Sequence, residues 1–419
     1  MSLTKASFSM ISGAVLNVLD YGADPTGTAD SASAIQAALT AAAALNGCIL
    51  YFPRGTYTCA STLSLSSAVI GLSLVGEGAD NTNLGGSRIV YTGAASTPFF
   101  KMDVLNTRFC NIRMLDIRGT NSSATGNLLS VSIFNGNIED CHFSMAHTAA
   151  EVLNLNGSID LKVTRLYIRG GTKNITGSVN NAVIFDQCDF GGQTDYAVGL
   201  STPSGITFTG CVFEPDVTGI KADGIYVTTA KGVSVQGCWL ADVVTTSGSP
   251  TSNWISFAGQ GLVVTGNYLN GDGYHKITPI KISDTTVGVS VVGNYIAAVP
   301  AVIDIGSGLA KEVEVIGNSL VGVDAIVSGT IASGGNLFTQ EFLSGTSNGY
   351  LSINNFRVTQ TLTTQATTVA NLPVSTGTSD TGMRSFVTDA TSVTFNAAAV
   401  GGGTFRVPVF NNGSAWFIG

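Results

Sequence analysis

Apolar and polar positions alternate along most of this chain in bursts too short for helices, each ending at Gly, Asn, Cys or a polar residue. Laid over one another, the bursts share a unit: apolar, variable, Gly or polar, Cys or Asn, variable, apolar. It reads Ile138-Glu139-Asp140-Cys141-His142-Phe143, Val163-Thr164-Arg165-Leu166-Tyr167-Ile168 and Phe185-Asp186-Gln187-Cys188-Asp189-Phe190. Further copies are Phe208 to Phe213, Val235 to Leu240, Val264 to Leu269, Val291 to Ile296 and Val315 to Leu320. Weaker copies sit at Ile112 to Ile117 and around Gly335-Asn336-Leu337. Successive copies fall roughly 22 to 29 residues apart, a period that marks a solenoid. Strand–turn–strand units at that period predict an all-β chain, a right-handed parallel β-helix over residues 61–340.

One column of the repeat carries a physical signature. It holds Cys141, Cys188, Cys211 and Cys238, then Asn267, Asn294, Asn318 and Asn336. Equivalent residues in neighbouring coils stack about 4.8 Å apart. Asn amides at that spacing hydrogen-bond along the stack, and Cys replaces them as a small apolar filler. The thiols are therefore expected in the interior, away from the positive surroundings that make a thiol reactive.

A parallel solenoid leaves unpaired strand edges at its ends, so it needs caps. Asp30 or Ser31 can start a helix that runs to about Leu45, with Ala34, Ile35, Ala38, Leu39 and Ala42 as its apolar stripe. Asn46-Gly47 supplies a stop, and strands at Val15 to Leu19 and Cys48 to Phe52 flank the helix. Residues 15–60 are thus expected to cap the first coil. From about Gln340 the ladder ends and the chain becomes Thr-rich. Phe405 to Phe410 and Ser414 to Ile418 flank Asn411-Asn412-Gly413, a hairpin signal. Residues 341–419 are expected to form a small C-terminal β-region.

Composition narrows the function. Charged residues make up 11% of the 419, with 51 Gly, and no apolar run is long enough to span a bilayer. A net charge of −8 on 19 Lys plus Arg leaves no basic stripe for nucleic acid. Seven cysteines without a CxxC pair suggest neither a disulfide framework nor a zinc site. No metal or cofactor is expected. Residues 1–14 lack the apolar core of a secretory signal, so synthesis in the cytoplasm without a leader is expected.

The segment Asn17-Val18-Leu19-Asp20-Tyr21-Gly22-Ala23-Asp24-Pro25-Thr26-Gly27 leads to Asp30-Ser31, the helix at Ala34 to Ala38, and Ile49-Leu50-Tyr51-Phe52-Pro53-Arg54-Gly55-Thr56-Tyr57. Together they resemble the N-terminal signature of the pectate-lyase-like β-helix superfamily, in the form found in phage tailspikes and related depolymerases. Gly382 to Ala390 is similar to a recurring C-terminal module of phage tail proteins. The resemblance implies a homotrimer on a virion, bound to a tail or baseplate protein and facing a bacterial surface polysaccharide; residues 1–14 are an attachment or linker segment, and either they dock the chain or a separate head domain has been lost or removed. Three functions fit it: a depolymerase of capsule or O-antigen, a non-catalytic receptor binder, or a structural β-helix. The Asn-Thr-Asp, Gly-His-Gly and Arg-Ile-Lys sets of pectin hydrolases are absent, so pectin is not the expected substrate.

Candidate chemistry gathers just after the repeated strand. Counted from the ladder residue, Glu214 lies at +3, Asp216 at +5, Asp242 at +4 and Asp272 at +5, with His275 nearby. Adjacent coils would bring carboxylates to roughly 5 Å, and alternate coils to roughly 9 to 10 Å. Retaining glycosidases need about 5 to 5.5 Å between carboxyls, and inverting ones about 6.5 to 9.5 Å. Glu214, Asp242 and Asp272 are thus the candidate catalytic acids, with Asp216 and His275 beside them. Asp189 with Asp195 is the second-choice pair. Tyr274-His275-Lys276 could instead serve an elimination. Tyr167, Trp239, Tyr268 and Tyr295 follow the ladder by one position and should form an outward column, facing either sugar or another chain of a trimer.

Overall fold

The computed structural model describes residues 15–45, 47–79, 85–146, 150–214, 223–241, 253–271, 278–306, 310–329, 337–340, 366–372, 374, 381 and 383–419. It divides into two compact units, Met1–Leu351 and Ser352–Gly419. The first is a right-handed parallel β-solenoid of about ten turns.

Each coil has three strands, and each strand pairs in parallel with its counterpart one coil on. The pre-ladder strands include Ile159–Thr164, Ile184–Asp186 and Ser204–Thr209, which register Val163 on Phe185 and Phe185 on Phe208. After the ladder turn come the post-ladder strands, among them Asp116–Gly119, His142–Met145, Tyr167–Gly170, Asp189–Gly191, Val212–Glu214, Trp239–Ala241 and Tyr268–Asn270. A corner then leads to the third strands, such as Glu151–Asn156, Lys173–Ser178 and Tyr196–Ser201. Inward positions stack like on like. Phe185 lies on Phe208 with ring centroids 4.9 Å apart, and Phe190 on Phe213 at 4.8 Å. These spacings equal the inter-strand distance, so the core is continuous along the axis.

From Cys141 to Asn318 the ladder forms as the repeat predicts; Asn336 lies outside the described residues. Asn267, Asn294 and Asn318 are buried, and each side-chain Nδ2 donates to a carbonyl of the previous coil, that of Val235, Val264 and Val291 respectively. Asn294 Oδ1 also accepts from the Asn267 backbone N–H and amide, both at 2.9 Å. The buried cysteines imitate this: Cys141, Cys188 and Cys211 direct Sγ at the carbonyls of Ile112, Val163 and Phe185. Burial pushes the Cys141 thiol up to about 12. Leu166 fills the same column between Cys141 and Cys188. The residue just before the ladder position is left-handed in every one of these coils, with φ from +48° at Arg165 to +67° at Gly293.

The cap differs in detail from its expectation. The strand at its start is only Leu16–Asn17, because Val18–Tyr21 winds into a 3-10 turn in which the Asn17 side chain accepts from the Leu19 N–H. The helix Ala32–Ala43 buries Ala32, Ile35, Ala38, Leu39 and Ala42. Ser31 precedes it, but its hydroxyl accepts from the Asp24 N–H, and the Asp30 carboxylate takes the first helical N–H instead. Thr26–Asp30 pairs as a strand with Gly55–Cys59. In the second unit, Arg384–Ala390, Phe405–Asn411 and Trp416–Ile418 make an antiparallel sheet, with Asn411 registered on Trp416 across the expected hairpin.

Candidate functional site

The outward face of the post-ladder strands is one continuous strip, one residue per coil. In register it runs Arg88, Asp116, His142, Tyr167, Asp189, Val212, Trp239, Tyr268, Tyr295 and Ser319. A second row lies two residues further along each strand and includes Arg118, Ser144, Arg169, Gly191 and Glu214.

The N-terminal part of this strip is ionic. Asp116 is fully buried and accepts from Arg88 Nε at 2.6 Å, Arg118 Nε at 2.8 Å and His142 Nδ1 at 3.0 Å. Burial opposes its charge, yet hydrogen bonds from His142, Arg118 and Arg88 outweigh it and hold the carboxyl below the usual range. The bond to Nδ1 fixes the His142 ring and leaves Nε2 as the nitrogen that Asp116 does not engage. The His142 ring lies 5.1 Å from that of Tyr167, and both line a groove of about 430 Å³ together with Asp140 and Arg165.

In the middle of the strip, Arg169 stands 4.0 Å over the Tyr167 ring and bonds Asp189 Oδ1 at 2.8 Å. The same nitrogen approaches Glu214 Oε2 at 3.8 Å, one coil beyond. It can reach that far because the intervening position is Gly191, where a Cβ would lie 3.0 Å from the guanidinium. Asp189 and Glu214 therefore present carboxylate oxygens no more than about 7 Å apart, close enough for both carboxyl groups to act on one glycosidic bond. Beyond Val212 the strip turns aromatic. Trp239 and Tyr268 are nearly parallel at 6.3 Å, and Tyr268 and Tyr295 at 5.1 Å, so each ring partly covers the next.

Of the residues nominated from sequence, Glu214, Asp189, Trp239 and Tyr268 thus share one strip. Asp195 does not join Asp189: it lies past the corner, 3.9 Å from Lys173 of the third-strand sheet. Asp216, Asp242, Asp272 and the Tyr274-His275-Lys276 set lie outside the described residues. Sequence reasoning missed Arg88, Asp116, Arg118, His142 and Arg169. His142 and Asp116 follow the ladder by one, just as Tyr167 and Trp239 do, so extending the aromatic column by position alone would have found them. Among the described residues, no group of three or more His, Cys, Asp or Glu is placed to hold a metal ion.

The family model for rhamnogalacturonase A/epimerase, pectate lyase-like proteins matches residues 15–241, more than half of the chain. The chain belongs to that family. An alpha-1,3-galactosidase A from Peterkaempfera griseoplana is 34% identical over 128 residues, which cover 26% of this chain and 16% of that protein. Among solved structures, the A-module of the mannuronan C-5 epimerase AlgE6 from Azotobacter vinelandii superposes with a TM-score of 0.55 at 16% identity, over 78% of this chain and 99% of that one. A DFA-IIIase from Arthrobacter chlorophenolicus A6 gives 0.54 at 13%, over 77% and 98%. ORF18 of Geobacillus virus E2 gives 0.50 at 19%, over 78% and 60%. At these identities the structures share the pectate lyase-like β-helix, and the comparison speaks to fold alone.

Proposed function

We propose that this chain is a tailspike-like protein of a phage particle that binds a bacterial surface polysaccharide, capsule or O-antigen, along the post-ladder strip and cleaves it by glycoside hydrolysis. The Asp189–Arg169–Glu214 cluster carries this reading, since it sets two carboxylates around one guanidinium between a groove and an aromatic run. In the reaction, one carboxylic acid gives its proton to the leaving glycosidic oxygen. The other carboxylate attacks the anomeric carbon or deprotonates the water that does, and the water's oxygen ends on that carbon. Trp239, Tyr268 and Tyr295 hold neighbouring sugars. Asp242 and Asp272, with Asp216 and His275, belong to the same proposal through their spacing from the ladder.

The N-terminal signature supports the phage context, as does the virus protein among the structures that share the fold. Three copies on a tail or baseplate are part of the same proposal. A second reading has its own observation: His142, oriented by Asp116, lies beside Tyr167 in the lining of the groove. That pair suits β-elimination at an acidic sugar, in which a base takes the proton beside the carboxylate and the leaving C–O bond breaks to give a C=C bond.

The test is incubation with capsule and O-antigen preparations, followed by sizing of the products. New reducing ends without ultraviolet absorbance support hydrolysis. Products that absorb through a new double bond support elimination. Tight binding without cleavage of any glycan would favour a receptor binder instead.

A further inference from the structure

The corner that joins each third strand to the next pre-ladder strand turns through a left-handed residue. In six successive coils that position holds Gly71, Phe109, Asn135, Asp160, Ala182 and Gly205, at φ between +49° and +73°. Phe109 is the odd member. A bulky side chain is disfavoured in this conformation, and burial does not compensate the strain, since the residue is 55% exposed. Strain kept without an internal gain points to a role outside the chain.

Apolar neighbours continue along the same edge. Ile70, one coil earlier, is 49% exposed, Leu105 on the same coil 70%, and Val179, three coils on, 67%. Phe134 and Ile159 occupy the coils between, both half-buried. Single exposed apolar residues are ordinary, but a run over five coils, about 19 Å long, is a contact surface.

Two charges indicate what covers it. Arg108 leans forward one coil, with its guanidinium carbon 5.7 Å from the centre of the Phe134 ring. Asp160 leans back one coil, its Oδ2 accepting from Asn135 Nδ2 at 3.1 Å. Both charged tips therefore lie level with the coil of Phe134 and Asn135, in adjacent columns. Neither forms an ion pair among the described residues. A rotation axis parallel to the solenoid sets this edge of one copy beside that of the next at equal height. Arg108 of one copy then meets Asp160 of the next, and the apolar side chains close on one another.

We infer that this edge is where copies of the chain meet, with Phe109 as the aromatic anchor and Arg108 paired to Asp160 between copies. The inference rests on the self-association in the reading above and gives it a surface.

The test is the mass of the full chain by sedimentation and light scattering over a dilution series. The wild type should assemble as three copies at micromolar concentration. Phe109→Gly should weaken assembly at least tenfold. At a dilution where both proteins are monomers, it should melt no lower than the wild type, because glycine relieves the turn. Arg108→Asp and Asp160→Arg should each weaken assembly, and the double exchange should restore most of it. An assembled wild type left unchanged by Phe109→Gly and Arg108→Asp overturns this edge and keeps the three-copy reading. A dimer that both substitutions disrupt keeps the edge and overturns the three-copy reading. A wild-type monomer overturns both. A Phe109→Gly monomer that melts well below the wild type makes Phe109 a structural residue, and failure of the double exchange to restore assembly removes the charge contact; either result overturns the inference.

Discussion

On the post-ladder strip Arg169 lies between Asp189 and Glu214; one sheet further round the coil, Lys173 lies between Glu151 and Asp195. The ingredients match, two carboxylates and one cation from neighbouring coils, but the construction differs. Arg169 is a planar fork clamped on the Tyr167 ring at 4.0 Å and joined to Asp189 at 2.8 Å, so one of its carboxylates is held in a fixed relation while Glu214 stands off at 3.8 Å. Lys173 is a point charge that reaches its acids only at 3.7 and 3.9 Å, beside an exposed pair of tyrosines. Rigid charges suit a reacting centre, which needs preorganisation. A looser charge beside aromatic faces suits adaptable binding.

The sharpest way to break this contrast is to neutralise one acid on each sheet and assay polysaccharide cleavage. Asp189→Asn and Glu214→Gln should each lower the rate by roughly 10² to 10⁴, the usual contribution of acid–base catalysis. Glu151→Gln should stay within about tenfold of wild type, as a loss of uniform binding. Equal losses on both sheets would erase the distinction drawn between them.

Stability should divide the two sheets as well. Asp116→Asn leaves Arg88, Arg118 and His142 around a neutral amide in a buried setting and should cost about 3–5 kcal/mol. Asp195→Asn removes a half-exposed partner of Lys173 and should cost at most about 1 kcal/mol. Because the folded Asp116 carboxyl titrates below its unfolded range, its contribution is fully present above that range and fades as pH falls through the folded value. Urea unfolding of wild type and Asp116→Asn should therefore converge in strongly acidic buffer. A gap that persisted or widened there would contradict the assignment.

These two regions were not equally legible in the amino-acid sequence. Stacking forces equivalent residues into one conformation, so the ladder positions and whatever follows them by one could be read directly; hence Asp189, Tyr167, Trp239 and Tyr268 fall on one strip. The third strands come after corners of differing form, such as Gly170-Gly171 and Gly192 to Asp195, and no invariant residue marks their register. Asp195 consequently looked like a neighbour of Asp189 in the same coil, and the alignment of Glu151, Lys173, Tyr196 and Tyr226 left no sequence trace. Charge pairing was hidden for another reason. Arg169 reaches Glu214 only because Gly191 has no side chain, a through-space condition that no spacing rule contains.

The ladder offers a comparison within one column. Asn294→Ala removes donors to Val264 and Asn318 and leaves the Asn267 N–H and amide without their acceptor, so it should cost about 2–4 kcal/mol. Cys211→Ala removes one small, weakly bonded group and should cost only about 1 kcal/mol. Denaturant titration of the two variants measures the difference. Equal losses would mean that the Asn column contributes through shape alone and not through its hydrogen bonds.

The smallest expected effect lies one residue earlier, where the backbone is left-handed in every coil. The C-terminal coils place Gly210, Gly237, Gly266, Gly293 and Gly317 there, whereas earlier coils use Met114, Asp140, Arg165 and Gln187 at φ between +48° and +54°. A residue with a Cβ pays roughly 1–2 kcal/mol in that conformation. Arg165 offsets the strain through its bonds to Asp140 and Glu139, but Gln187 is exposed, and its side chain gains nothing comparable from the contacts around it. Gln187→Gly should therefore stabilise the chain, by up to about 1 kcal/mol once the greater freedom of glycine in the unfolded state is subtracted. Gly210→Gln, the reverse exchange one coil on, should destabilise it by a similar amount. Both shifts are read as denaturation midpoints at constant slope. If Gln187→Gly were destabilising, the left-handed turn would be held by the Gln187 side chain itself, and the early coils would owe their register to side chains rather than to backbone freedom.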